Sequence, residues 1–129
     1  MKTIIVSMVA AAGLMVAGSV IAAEDYLPAL VQKTENMPAV VKKYNCNACH
    51  GIEMKVVGPR FIDIAKKYKG AAKFEYKGQE YPLMEGLMLK VSKGGSGHWG
   101  VMPMPAIDPK GDRQEDMKEL VTFILGLAK

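Results

Sequence analysis

Cysteine, histidine and tryptophan are scarce in this chain: two, two and one among 129. Two cysteines exclude a framework of several disulfides, the usual staple of small secreted domains. Long apolar runs are scarce as well. Beyond residue 23 no stretch approaches the ~20 residues that cross a bilayer, so the remainder reads as soluble. Internal repeats and low-complexity segments are missing, and the length suits one domain and not comfortably two.

The beginning of the chain is not part of that domain. Met1-Lys2-Thr3 gives a short positive start, Ile4 to Ala23 carries no charge, and small residues close the run before Glu24-Asp25. That order is the pattern of a secretory signal peptide, with the cut after Ala22 or Ala23. The competing reading is a retained membrane anchor; the small-residue exit favours cleavage. Residues 1–23 are expected to be removed, 24–36 to form an N-terminal extension and 37–129 to fold as the domain. The mature protein is then expected in the periplasm, with no membrane span. Cleavage leaves roughly 106 residues, which bury only a modest core and profit from a covalent staple.

Cys46-Asn47-Ala48-Cys49-His50 is the C-x-x-C-H signature of c-type haem attachment. Two thiols three apart on a turn of helix can each add across one vinyl group, giving two thioethers. His50 then follows with its imidazole facing the iron. Two other readings compete. A thioredoxin-like dithiol needs a strand-helix-strand frame, and no convincing strand precedes Cys46. Half of a zinc site wants four ligands when closed, and the only other histidine is His98. One haem c, attached through Cys46 and Cys49, is the expected cofactor.

An iron that carries electrons needs a strong ligand on each face, and a methionine opposite a histidine raises the reduction potential. Gly94-Gly95-Ser96-Gly97-His98-Trp99-Gly100-Val101-Met102-Pro103-Met104-Pro105 is the natural supplier. Its glycines let backbone pass close to a flat cofactor, and its prolines favour an extended course. Met102 and Met104 are two apart, so in an extended segment they point the same way and spacing does not choose between them. Both could instead be core filler, and His98 is a third candidate ligand.

Four strings together resemble class I c-type cytochromes. They are the haem motif, Val57-Gly58-Pro59, Ile64-Ala65-Lys66-Lys67-Tyr68 and Trp99-Gly100-Val101-Met102-Pro103-Met104-Pro105. Within that class they are most similar to the small bacterial cytochrome c551/c552 group, from about Pro38 to the C-terminus. The resemblance implies that Met104 is the second axial ligand, with Met102 the runner-up and His98 third. It implies that the Pro59 carbonyl accepts the free N–H of His50, and that the Trp99 indole reaches a haem propionate. Lys90 stands where the group usually has a propionate-pairing arginine, and lysine cannot make the same forked contact.

The implied fold is all-α: a small cytochrome c fold whose N- and C-terminal helices cross around one covalently bound haem. Asn36-Met37-Pro38 reads as a helix start, with Asn36 as cap and Pro38 in the first turn, leading through Val40, Val41 and Tyr44 to the haem motif. Met117, Leu120, Val121, Ile124 and Leu125 repeat at helical spacing, with Asp108 or Asp112 as cap and Phe123 as the aromatic at the crossing. Phe61 to Tyr68 and Leu83 to Ser92 supply two intervening helices. Lys73 to Pro82 alternates aromatic and charged residues around Lys77-Gly78, the pattern of a small hairpin. It reads as cover for the haem's lower edge, or as a docking surface.

One haem with both faces ligated leaves no open position for a substrate. The chain is therefore expected to be a one-electron carrier between respiratory redox proteins and not an enzyme. The alternative is a haem-bearing, electron-accepting subunit of a dehydrogenase complex; a gas-binding or sensory haem would need an open sixth site. From Lys42 to Lys93 there are eleven basic and five acidic residues, against five and eight in the rest of the mature chain. A basic rim of this kind would steer partners with acidic docking surfaces. Nucleic acid is not an expected partner, and a monomer is expected unless the chain is a complex subunit.

Overall fold

The computed structural model describes residues 36–128. The expected signal peptide at 1–23, and 24–35 of the expected extension, lie outside the described residues. Within them the chain is mostly helical: α1 Ala39–Lys43, α2 Phe61–Tyr68, α3 Leu83–Lys93 and α4 Gln114–Leu125, with strands β1 Lys73–Tyr76 and β2 Gln79–Pro82 between α2 and α3.

Helix α1 starts two residues later than its sequence signal. Pro38, extended at φ −62° and ψ 157°, takes the cap position that was expected of Asn36. Its carbonyl accepts the N–H of Val41 at 3.0 Å, and a residue without an N–H loses nothing at a helix start. The helix is only five residues long and buries Val40 and Val41. Asn45, left-handed at φ 53°, then turns the chain into a 3₁₀ turn over Cys46–Ala48.

Helix α2 buries Phe61, Ala65 and Tyr68 along one face. Asp63 in its first turn and Lys66 and Lys67 in its last suit the helix dipole. In the hairpin, Lys77 (φ 50°) and Gly78 (φ 80°) both take positive φ, the pair of conformations that matches a two-residue turn to strand twist. Strand β1 alternates, Phe74 and Tyr76 buried and Lys73 and Glu75 exposed. It lies against α3 at Gly86, where a Cβ would come within 2.7 Å of the Phe74 side chain.

Helix α4 buries Met117, Leu120, Val121 and Ile124. The buried Asp108 carboxylate organises its approach, accepting the N–H groups of Gly111, Asp112 and Arg113 and the Gln114 side-chain amide. The cap position itself falls to Arg113 and to neither expected aspartate; Asp112 contributes its backbone N–H. Helices α1 and α4 pack together, with Lys43 Nζ 2.6 Å from Asp116 and Tyr44 donating to the same carboxylate. Phe123 meets Phe61 edge to face at 6.2 Å between ring centres.

Candidate functional site

These elements enclose a cavity of about 350 Å³ with predominantly apolar walls. One wall holds Cys46, Cys49 and His50; another holds Gly95 to Trp99 and Met102 to Pro105; Leu87, Val91, Leu120 and Ile124 also line it. The cysteines and the methionine loop, far apart in the chain, thus face one space.

The cysteine wall is built by short-range backbone bonds. The N–H groups of Cys49 and His50 both bond the Cys46 carbonyl, at 3.1 and 2.9 Å. The chain then loops back, and the N–H groups of Val57 and Gly58 bond the Cys49 carbonyl at 3.2 and 2.8 Å. Both thiols are free. Burial pushes the Cys46 thiol up from its usual range, opposite to the lowered thiol of a redox dithiol.

His50 is buried and held on two sides. Its Nδ1 lies 2.7 Å from the Pro59 carbonyl, and its ring stacks on Phe61 at 5.2 Å and 13°. A carbonyl only accepts, so Nδ1 carries the proton and Nε2 keeps its lone pair for another partner. Gly58 completes the cradle, since a Cβ there would stand 2.5 Å from the imidazole Cε1.

On the other wall, Met104 and Gly95 exchange both backbone hydrogen bonds, at 2.9 and 3.0 Å. They fit because Gly94, at φ 70°, has no side chain; a Cβ there would lie 2.3 Å from the Met104 carbonyl oxygen. Met102 and Met104 both line the cavity. They differ in exposure: Met104 is half-buried and packs on the core, whereas Met102 is 67% exposed.

Trp99 is 42% exposed at the cavity rim, with Lys67 Nζ 4.3 Å above its ring. Lys90 lines the cavity, donates to the Gly95 carbonyl at 2.6 Å, and is lowered from the usual lysine range by burial. His98 also lines the cavity, but its ring stacks on Phe74 at 4.6 Å and its Nε2 is 2.7 Å from the Glu75 carbonyl. That nitrogen is committed to a backbone oxygen.

Four participants escaped the sequence reading: Phe61 under the imidazole, Gly58 beside it, Lys67 over Trp99, and Tyr76, whose hydroxyl donates to the Gly94 carbonyl at 3.0 Å. Gly58 had a signal, as the glycine inside Val57-Gly58-Pro59. The others pair residues distant in sequence and leave no local mark.

The donors suit a flat apolar group fixed through two sulfurs and ligated on both faces. Two thiols share one turn, an imidazole keeps one lone pair, and a thioether lines the same apolar cavity. Two glycines make room for protein neighbours, Gly58 for the His50 ring and Gly94 for the Met104 carbonyl.

The cytochrome c family model matches residues 35–128. The chain is 40% identical to cytochrome c-551 of Allochromatium vinosum over 90 residues, 68% of this chain and 82% of that one. It is 37% identical to cytochrome c-552 of Nitrosomonas europaea over 127 residues, 98% of this chain and 99% of that one. The crystal structure of wild-type Nitrosomonas europaea cytochrome c552 superposes with a TM-score of 0.55 at 39% identity, covering 68% of this chain and 95% of the other.

Proposed function

The chain belongs to the cytochrome c family, close to the c-551 and c-552 group, and from that premise we propose that it is an exported carrier of single electrons between respiratory proteins. Members of this family hold one covalent haem c, and Cys46 and Cys49 stand in the matching arrangement. That group supplies the one-electron chemistry when bound.

The chain's own residues do the rest. Cys46 and Cys49 tether the group to the N-terminal half of the domain. In this reading His50 and Met104 would hold the iron. Pro59 fixes the imidazole in one tautomer and raises its basicity, as partners behind a metal ligand generally do. Phe61 and Gly58 keep the ring from tilting. Trp99 is the proposed propionate donor, and Lys90, already bound to Gly95, adds positive charge to the wall. With His50 and Met104 both holding the iron, no position would be left for a substrate, and the protein would act by gaining and losing an electron and not by catalysis.

The observation that carries the proposal is that the cysteine–histidine turn and the methionine loop line one apolar cavity. On one, His50 has its Nδ1 committed to Pro59; on the other, Met104 is drawn toward the core while Met102 stays in solvent. Export is supported by the leader pattern of residues 1–23. Docking to acidic partners is supported by the basic excess between Lys42 and Lys93, with Lys55 at the cavity and Lys67 at its rim. Two measurements test the reading. The mature protein, isolated from its own cells and denatured, should weigh one haem more than its amino acids. Met104→Ala should abolish the long-wavelength methionine–iron band of the oxidised protein, and Met102→Ala should retain it. The reverse pattern would move the axial ligand to Met102, and a bare polypeptide mass would end the proposal.

A further inference from the structure

The loop that carries Met104 has almost no regular structure of its own. Between Gly95 and Met104, Gly95, Gly97 and Gly100 all take positive φ, and one internal backbone bond joins the Gly97 N–H to the Gly100 carbonyl. Such a segment has few contacts with which to hold a side chain in place. Its fixed points come from outside, and two of them belong to the β1–β2 hairpin.

At the root of the loop, the buried Tyr76 hydroxyl donates to the Gly94 carbonyl at 3.0 Å. Gly94 directly precedes Gly95, the residue that exchanges both backbone bonds with Met104. Further along, His98 lies on the same strand: its ring is 4.6 Å from Phe74 at 17° and 6.4 Å from Tyr76 at 5°. Its Nε2–H donates to the Glu75 carbonyl at 2.7 Å. In the antiparallel register Glu75 faces Glu80, between Phe74–Tyr81 and the turn-closing Tyr76–Gln79 pair. Ladder bonds alternate along such a pair, which leaves the Glu75 carbonyl on the free edge. The imidazole fills that edge. The one buried polar side-chain atom without a partner among the described residues is the other nitrogen of this ring, Nδ1. Lys67 then bonds the His98 carbonyl at 3.0 Å.

We propose that the hairpin is a clasp that positions the ligand loop, with Tyr76 and His98 as positioning residues that act through the backbone on Met104. Phe74 and Tyr76 face inward while Lys73 and Glu75 stay outside, so the strand offers the loop two aromatic rings, a hydroxyl and a free carbonyl. The consequence is kinetic. The clasp slows the excursion in which the thioether leaves the cavity, and so keeps the ligand set the same in both oxidation states. The proposal rests on Met104 being the axial ligand.

The test uses the oxidised, haem-loaded protein. Binding of imidazole at saturating concentration is limited by departure of the methionine, so its rate reports loop opening. Tyr76→Phe, which removes one hydroxyl and keeps the ring, should raise that rate by roughly fivefold, the factor one net hydrogen bond is worth. His98→Phe, which keeps the stack, should raise it by a similar factor, and His98→Ala by more. Amide exchange at Gly95 and Met104 should accelerate in parallel. Asp116→Asn, at the α1–α4 packing away from the loop, should lower the thermal midpoint and leave both readouts unchanged. Wild-type opening rates in Tyr76→Phe and His98→Ala, or equal acceleration in Asp116→Asn, would overturn the clasp. If Met104→Ala keeps the methionine band, the ligand assignment has failed, and exchange at Gly95 and Met104 still decides whether the hairpin holds the loop.

Discussion

Gly58→Ala tests the cradle of the imidazole directly. A Cβ at this position would lie 2.5 Å from His50 Cε1, 2.9 Å from Nδ1 and 3.0 Å from Nε2. Non-bonded carbons sit at about 3.5–4.0 Å, so ring or backbone must give by about 1 Å. Neither is free to do so. The ring is bonded to Pro59 at 2.7 Å and stacked on Phe61, and the Gly58 N–H is bonded to the Cys49 carbonyl at 2.8 Å. Overpacking costs about 1–3 kcal/mol and a lost hydrogen bond about 1 kcal/mol more, together about 2–4 kcal/mol. In a domain of this size each kcal/mol moves the midpoint by about 4–8 °C, so the haem-loaded variant should melt roughly 10–30 °C lower. The reduction potential should rise as well, because an imidazole that donates less to a carbonyl is a weaker electron donor and favours the oxidised iron less. Gly78→Ala is the reference: it strains a positive φ of 80° but meets nothing within 4 Å, so it should cost about 1–2 kcal/mol and leave the potential alone. If Gly58→Ala melts with Gly78→Ala and keeps the wild-type potential, the imidazole is not held as described.

Asp108 sets an acid limit. Burial opposes its charge, yet the Gln114 amide and the Arg113 and Asp112 N–H groups outweigh burial and hold its carboxyl below the usual range. Its contribution is complete above the unfolded value of about 3.9 and is lost as pH falls through the lower folded value; Asp108→Asn should melt lower at neutral pH and fall less steeply in acid. Asp116 is lowered first by Lys43 and then by Tyr44, so Asp116→Asn should reduce the midpoint modestly, with the Lys43 part of the loss shrinking in salt. Electron exchange with an acidic partner should slow as ionic strength rises, and Lys55→Glu should flatten that dependence; an unchanged slope would remove Lys55 from the docking surface.

The parts of the fold that were legible in sequence are those written in local pattern. Phe61 to Tyr68 and the start of α3 at Leu83 follow apolar spacing, and Lys77-Gly78 marks the hairpin through its positive φ pair. Pro38 displaced Asn36 because a cap depends on backbone conformation, which composition at a helix start fixes only loosely. The roles of Tyr76 and His98 were not legible at all, since their partners, Gly94 and Glu75, lie eighteen and twenty-three residues away. Spacing could not separate Met102 from Met104 because an extended run was assumed. In the structure only Met104 is paired, through Gly95, and Gly94 makes that pairing sterically possible.

The cavity is continuous with the hydrophobic core. Phe61, Phe74, Leu87, Val91, Leu120 and Ile124 belong to the core cluster and also line the cavity. In so small a domain, one central space takes the place that extra side chains would fill in a larger one. If His50 and Met104 hold the group as proposed, folding and ligation are one problem here. The thiols and His50 arrive with α1 and its turn, whereas Met104 arrives with the segment between α3 and α4. Only the packed helices bring the two walls together. A mutation that loosens α3 against α4 should therefore register at the ligands even where it touches none of them, and a cradle mutation such as Gly58→Ala should register in the melting of the whole domain. At the clasp the ligand side can respond alone, because a loop can open while the helices stay packed.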